Sequence, residues 1–414
     1  MATIFYECMS GIFSSSCYFV IYGFLVYVTI PLIFKIYPKI VFEGLFLNRV
    51  CPPVWLLKLN KPDKAYNLKE SKNCYVKSSS GSTLGVWHIP PVTQYDTPEV
   101  KLVSLQDAKK IIIYCHGNSF HRGFKHRRDL YSELQKSGFH IIAFDYSGFA
   151  DSTGQPSPTR VVEDAISMYK WMVKQVGLCF IIFVSGTRKA NKTAISKAEL
   201  QKEDVTIVLW GHSLGTYIST RALSLMYGQK DGTRLPDCLI LGAPFTNTYD
   251  AADCFPLSKY FYLLYPFMRS QVHKNIRQYD VELRTEKYLP TIKAPVMILH
   301  AKDDQRIDIH LGETLYEKTT SDPMTKSPHI RFIRMHKDYG VKHYTAKHPE
   351  INQLVHDFMA EVAKVKGDQE QGTPERRCDN RALGSFTRHV HQHEGAIAHV
   401  RPERWHSTPR LSDT

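Results

Sequence analysis

Thr206-Ile-Val-Leu-Trp210-Gly211-His212-Ser213-Leu214-Gly215-Thr216 reads as a buried strand running into a Gly-x-Ser-x-Gly turn. Val205 lengthens the apolar run, and a helix is expected over about 216–226. A serine on such a strand–turn–helix sits above the sheet edge in strained backbone. The positions two before and two after it must be small, so that strand and helix can pass each other. The alternative is a glycine-rich turn with an incidental serine, and the strand and helix on either side argue against it.

A nucleophilic serine needs a base, and the base needs an orienting carboxylate. In an elbow-type hydrolase they follow in the order Ser, Asp or Glu, His. Ala294-Pro-Val-Met-Ile-Leu-His300 is a strand-like run, and Ala301-Lys-Asp303-Asp304-Gln-Arg306 leaves it as a loop. Asp304 is preferred as the acid because four residues separate it from His300, room for the chain to turn; Asp303 is the rival and is expected to cap the loop. Ile330-Arg-Phe-Ile-Arg-Met335 supplies one more strand, followed by three competing histidines, His336, His343 and His348. His343 lies on a glycine-containing loop before a helix at about 349–362 and can hang over the sheet edge. His336 ends the strand, and His348 stands at the start of the helix beside Pro349. His343 is therefore the expected base.

Lys110-Ile-Ile-Ile-Tyr-Cys115 is another buried strand, and it ends in His116-Gly117-Asn118-Ser119. A His-Gly turn here presents backbone N–H groups to the serine, so the oxyanion donors are expected to be the amides of Asn118 or Ser119 and of Leu214.

His116-Gly-Asn, Phe144-Asp-Tyr-Ser-Gly-Phe-Ala-Asp-Ser152, Trp210-Gly-His-Ser-Leu-Gly-Thr216, Ala243-Pro-Phe-Thr-Asn247, Leu299-His-Ala-Lys-Asp-Asp304 and Gly340-Val-Lys-His343 together resemble one family. It is the α/β-hydrolase-domain-12 lipases, with their B branch the nearer match, over roughly residues 45–365. The resemblance implies a membrane-bound serine hydrolase of lysophospholipids, notably lysophosphatidylserine, and of monoacylglycerols, with Ser213, Asp304 and His343 in the triad positions. Two departures stand out. Ala150 occupies a place where relatives usually carry glycine, and Asp304-Gln-Arg-Ile-Asp308 lacks their Val-Val-Pro ending.

The chain has 414 residues, 43% of them hydrophobic and 22% charged, which fits one hydrolase domain of about 300 residues with extensions. Strands are expected near 73–77, 84–89, 110–115, 140–144, 205–210, 239–242, 296–300 and 330–335, with helices such as 128–137 and 159–176 between the later ones. That alternation predicts an α/β fold with a mainly parallel eight-stranded sheet and helices on both faces. The net charge of +13 favours anionic surfaces. No nucleic-acid motif accompanies it, so a lipid surface is expected rather than nucleic acid. The nine cysteines show neither Cys-x-x-Cys pairing nor metal-ligand spacing, and Cys115 and Cys238 sit in strand-like runs as small core residues.

Residues 8–34 carry no charge, and 17–34 are apolar and aromatic, long enough to cross a bilayer as a helix. A retained anchor in residues 1–44 is expected rather than a cleaved signal peptide, because no basic region precedes the apolar one. Orientation is in conflict. Lys35, Lys39 and Arg49 follow the span, which puts the enzyme in the cytosol. The resemblance implies a lumenal or extracellular domain, the side on which the sequon Asn191-Lys-Thr193 has meaning; the lumenal side of the endoplasmic reticulum is preferred. The hydrolase domain is set at 45–366, interrupted by an insertion at 178–204. The insertion is a lid, a membrane-docking loop or a bland looped-out stretch; were 178–184 to replace 205–210 as the central strand, Ser213 would be misplaced. The tail, 367–414, is polar and basic and is expected to be disordered. Its His391 and His393 are read as solvated rather than metal-binding.

His343 is expected to take the Ser213 proton as the serine attacks an acyl carbonyl, with Asp304 holding the imidazole; no cofactor is needed. Arg122, Lys125 and Arg127 lie just past the oxyanion turn and are possible headgroup ligands, the alternative being a basic solvated helix start. The aromatic stretch 255–268 reads as a cap wall for an acyl chain or as core. Rival functions are a cytosolic protein depalmitoylase using the same triad, an inactive hydrolase-fold scaffold, and a peptidase. Oligomeric state is not legible.

Overall fold

The computed structural model describes residues 2–92, 105–185, 205–229, 231–256 and 258–371. Eight strands form its centre: β1 (Lys72–Lys77), β2 (Thr83–Ile89), β3 (Lys110–Cys115), β4 (His140–Phe144), β5 (Thr206–His212), β6 (Cys238–Gly242), β7 (Val296–Ala301) and β8 (Ile330–Met335). Their order across the sheet is β1-β2-β4-β3-β5-β6-β7-β8. The first two pairings, β1 with β2 and β2 with β4, are antiparallel, and every other pairing is parallel.

The continuous apolar runs of β3 to β7 are what a sheet covered on both faces requires. Side-chain alternation divides the core in two. Ile111, Ile113, Ile207 and Leu209 face one cluster, with Val161 and Met168 of the helix Pro158–Ser185 and Ile218 of the helix Leu214–Met226. Ile112, Tyr114, Val208 and Trp210 face the other, with Leu130 of the helix Lys125–Lys136 and Val355 and Phe358 of the helix Ile351–Gln371. A one-residue slip in β5 would exchange the two faces and move Ser213, so packing fixes the register that places it. Val208 and Trp210 are fully buried, and truncating such a residue to alanine costs about 2–5 kcal/mol.

The parallel strands β3, β5, β7 and β8 end on one edge, and the four loops read above as chemical leave from there. This is where open parallel sheets bind ligands. The stretch 178–184 does not become a strand: the helix Pro158–Ser185 runs through it, and β5 keeps the central place. The rest of the 178–204 insertion, including the Asn191 sequon, lies outside the described residues. So do 372–414, with His391 and His393. The last helix begins at Ile351 rather than 349 and runs beyond 362 to Gln371.

At the N-terminus the helix Ala2–Ile36 contains an apolar stretch, Tyr18–Ile36, with mean hydropathy 2.1, and none of that stretch is buried. It is the one helix among the described residues long and apolar enough to cross a membrane.

Candidate active site

Ser213 stands between β5 and the helix Leu214–Met226 with φ 54° and ψ −119°, a conformation that an ordinary side chain avoids. Its neighbours explain why glycine flanks it. A Cβ on Gly211 would come within 2.3 Å of the Gly215 carbonyl oxygen, and one on Gly215 within 2.0 Å of the Cys115 carbonyl oxygen. The Ser213 amide donates to the Gly242 carbonyl at 2.9 Å, and its own carbonyl accepts from the Thr216 hydroxyl at 2.6 Å. The elbow is thereby pinned to β6 and to its own helix.

Asp304 and His343 meet at the ends of β7 and β8. Nδ1 of His343 lies 2.9 Å from Oδ2 and 3.2 Å from Oδ1 of Asp304. The Asp304 side chain is fully buried. The amides of Arg306 and Ile307 donate to its Oδ1 at 2.8 and 3.0 Å, and Nε2 of His300 lies 3.5 Å from Oδ2. Burial raises its pKa, but the hydrogen bonds from His300 and His343 outweigh that and hold it far below the usual carboxylate range. Asp304 is therefore an anion in a site that fixes the tautomer of His343. Asp303 turns elsewhere, accepting the Lys342 amide at 3.0 Å and tethering the histidine loop.

The other two histidines stay away from this pair. His336 is exposed and pairs with Asp338 at 3.0 Å, whereas His348 accepts the Glu350 amide at the start of the last helix. His343 and the serine are joined through His212, the variable residue of the elbow. Its ring lies 5.0 Å from the His343 ring, and its Nε2 lies 2.8 Å from the His343 carbonyl oxygen. Burial pushes the His212 pKa down to about 3, so it is neutral and donates that bond. Sequence reasoning passed over His212 and His300. The signal for His300 was a histidine at the end of an otherwise apolar strand.

The loop after β3, expected to hold the oxyanion, lies directly against the elbow: a Cβ on Gly117 would be 3.4 Å from the Ser213 Cβ. Its carbonyls are held from behind. Arg127 donates to the carbonyls of His121 at 2.5 Å, Ser119 at 2.6 Å and Gly117 at 3.4 Å. The Leu47 amide donates to the Asn118 carbonyl at 2.9 Å. In a trans peptide the N–H points opposite to the carbonyl before it, so these bonds turn the Asn118 and Ser119 amides away from their holders. Leu214 contributes the first amide of its helix, where N–H groups lack intrahelical partners.

Two of the three expected headgroup ligands are placed elsewhere. Arg122 is fully buried, with Nη1 at 2.6 Å from both Asp145 and Asp151 and Nη2 at 2.7 Å from Asn73. Arg127 is only 1% exposed and is spent on the loop carbonyls. A cation stays inside only when fully partnered, and the partners stand in the Phe144–Ser152 motif. Lys125 alone is free to meet solvent, and it pairs with Asp129 at 2.9 Å. Two other cations stand beside the residue that follows His343. The Arg306 guanidinium and the Lys347 ammonium lie 5.6 and 5.3 Å from the ring centre of Tyr344, the residue after His343. Both are exposed, and neither forms an ion pair among the described residues.

A mainly parallel sheet whose fifth strand delivers a strained serine, with an Asp–His pair delivered by the last two strands, defines an α/β-hydrolase, and a family model described as alpha/beta hydrolase fold matches residues 110–231. Lysophosphatidylserine lipase ABHD12 of Xenopus tropicalis is 30% identical over 355 residues, covering 84% of each chain. Protein ABHD12B of Homo sapiens is 30% identical over 268 residues, covering 64% of this chain and 65% of that one. The chain belongs to the ABHD12 family. Among solved structures, the Pyrococcus furiosus esterase Pf2001 aligns at 18% identity and a TM-score of 0.47, covering 72% of this chain and 92% of that one.

Proposed function

We propose that this chain hydrolyses fatty-acyl esters of lysophospholipids, lysophosphatidylserine among them, and of monoacylglycerols, with Ser213, His343 and Asp304 as its triad. The observation that carries this reading is the buried Asp304 carboxylate on His343 Nδ1 at 2.9 Å, beside a serine held at φ 54°. His343 takes the Ser213 hydroxyl proton as Oγ attacks the acyl carbonyl carbon. The amides of Leu214 and of Asn118 or Ser119 receive the developing oxyanion. The tetrahedral intermediate collapses, His343 gives its proton to the leaving alcohol, and water then releases the fatty acid by the same steps. Arg306 and Lys347 take the negative charge of an acidic headgroup, with Lys125 more distant along the chain.

We place residues 1–44 as a membrane anchor, 45–366 as the hydrolase domain and 367–414 as its tail, with the domain on the lumenal side of the endoplasmic reticulum. The cations that follow the anchor favour the opposite side, and with it a protein depalmitoylase acting on acyl thioesters. Sensitivity of the full-length protein to endoglycosidase separates the two sides. Fluorophosphonate labelling in membranes, compared with Ser213→Ala, tests the chemistry itself. Labelling lost in the variant supports the assignment. A folded wild-type protein that does not label overturns it in favour of an inactive scaffold.

A further inference from the structure

The helix Ser258–Leu264 and the turn after it present two apolar faces, and only one is used internally. Tyr265, Met268, Val272 and Ile276 are buried. Tyr260, Leu263, Leu264 and Phe267 are 69%, 78%, 59% and 57% exposed. The first three of these share one side of the helix, at i, i+3 and i+4. Four bulky apolar side chains in open water form a patch that calls for a partner.

The N-terminal helix runs beside this patch. The Tyr27 ring stacks on Tyr265 at 4.7 Å, and the Tyr27 hydroxyl donates to the Leu264 carbonyl at 3.1 Å. Phe34 lies 5.8 Å from Phe261, and Asn275 Nδ2 donates to the Phe34 carbonyl at 3.1 Å. Helix length then decides what the patch faces. The helix has 35 residues, about 52 Å at 1.5 Å per residue, against a hydrocarbon core of about 30 Å. Roughly fifteen residues are surplus, and the ten of the stretch 27–36 held by the cap account for most of them. Residues 2–26 are left to cross, with Glu7 as their single charge, near the far end; the span so placed takes only the first half of the apolar stretch Tyr18–Ile36, because the cap holds the second half. The bilayer surface then falls at Tyr27, whose ring and hydroxyl suit an interface. Leu264 is bonded to that hydroxyl and stands at the same level.

We propose that Tyr260, Leu263, Leu264 and Phe267 insert into the leaflet adjoining Tyr27, so that the cap rests in the bilayer surface beside the anchor. This rests on the reading of the N-terminal helix as a membrane anchor. The exposed Lys259 and Lys274 on the same cap helices suit anionic headgroups around the inserted row. The segment carrying the cap leaves the sheet after Gly242, whose carbonyl accepts the Ser213 amide, so insertion turns the site-bearing edge toward the membrane.

The test uses full-length protein in phosphatidylcholine vesicles containing phosphatidylserine, with a benzophenone amino acid at Leu263 or, as a control, at Thr320. Illumination is expected to attach lipid at position 263 at least tenfold more than at 320. Equal attachment at both, or crosslinking of position 263 to this chain or to a second copy, overturns the proposal. Carbonate extraction in parallel separates the two ideas. Protein released by carbonate overturns the anchor and the insertion together; protein retained without lipid at 263 overturns the insertion alone.

Discussion

Arg127 donates to the Ser119 carbonyl at 2.6 Å, and the same guanidinium gathers the carbonyls of His121 and Gly117. One buried cation thus sets the tilt of successive peptides in the loop facing Ser213, and its charge lies behind the amides that the proposed mechanism assigns to the oxyanion. Arg127→Ala is expected to lower kcat by roughly 10²-fold, the usual loss of one oxyanion donor, with KM nearly unchanged. Arg127→Lys should restore part of the rate, since an ammonium lacks the planar fork that serves three carbonyls. Steady-state kinetics on a soluble ester, with a melting curve to show that each variant is folded, measure this. A rise in KM with kcat intact would contradict it.

Asp303 and Asp304 are adjacent in sequence and diverge in the structure, one to the Lys342 amide and one to His343. Asp304→Asn should reduce kcat by about 10⁴-fold, because the amide favours the wrong imidazole tautomer. Asp303→Asn forfeits one charge-assisted loop bond, and the rate should fall by no more than about tenfold. The two variants assayed side by side decide which carboxylate serves the base.

Arg306 and Lys347 flank Tyr344 next to the histidine. Replacing both with alanine should raise KM for lysophosphatidylserine by roughly tenfold, the worth of one charge-assisted bond, while monoacylglycerol turnover is unaffected. An equal effect on both substrates would remove these cations from headgroup recognition.

Burial pushes the pKa of His88 and His212 down to about 3 and of His121 and His140 down to about 4. The folded state keeps these rings neutral, whereas the unfolded chain protonates them below about pH 6.5. Unfolding therefore takes up protons, and the stability present above pH 6.5 is lost as pH falls toward 4. The melting temperature should decline across that window. His88→Gln, which removes one of the stacked pair with His140, should make the decline shallower.

Ala150 adopts φ 46° in the loop after β4, a left-handed conformation that suits glycine better than alanine. Ala150→Gly should stabilise the fold by about 0.5–1 kcal/mol, the relief of left-handed strain less the added freedom of the unfolded chain. Chemical denaturation provides the measurement, and a destabilised variant would refute it.

The inner strands β3 to β7 were legible because a strand buried on both faces leaves a dense apolar run that few other structures explain, and the edge strands β1 and β8 by their spacing around them. The elbow and the acid loop were legible because each follows such a run, and the histidine loop because it follows the last strand of the chain. Charge was harder to read. Arg122 and Arg127 look like surface cations in the sequence, and nothing local announces that Asp145 and Asp151, more than twenty residues later, will enclose Arg122. The same limit hid Arg306 and Lys347, whose meeting at Tyr344 depends on two loops from different strands. The stretch 178–184 illustrates a different ambiguity: its apolar run suits either a strand or a buried helix, and continuity with the helix before it settled the choice.

The Leu47–Asn118 bond has a practical consequence for anyone wishing to handle this enzyme without detergent. The residues just past the apolar helix are not a leash; Phe46 is buried in the core, and Asn48 donates to the Gly148 carbonyl at 2.9 Å. A cut between the apolar helix and Phe46 would leave the Leu47–Asn118 bond within one chain, whereas one after Arg49 would detach it from the loop that faces Ser213. Truncations starting a dozen residues apart are thus expected to differ in activity, the shorter one lacking a support of the loop that faces Ser213.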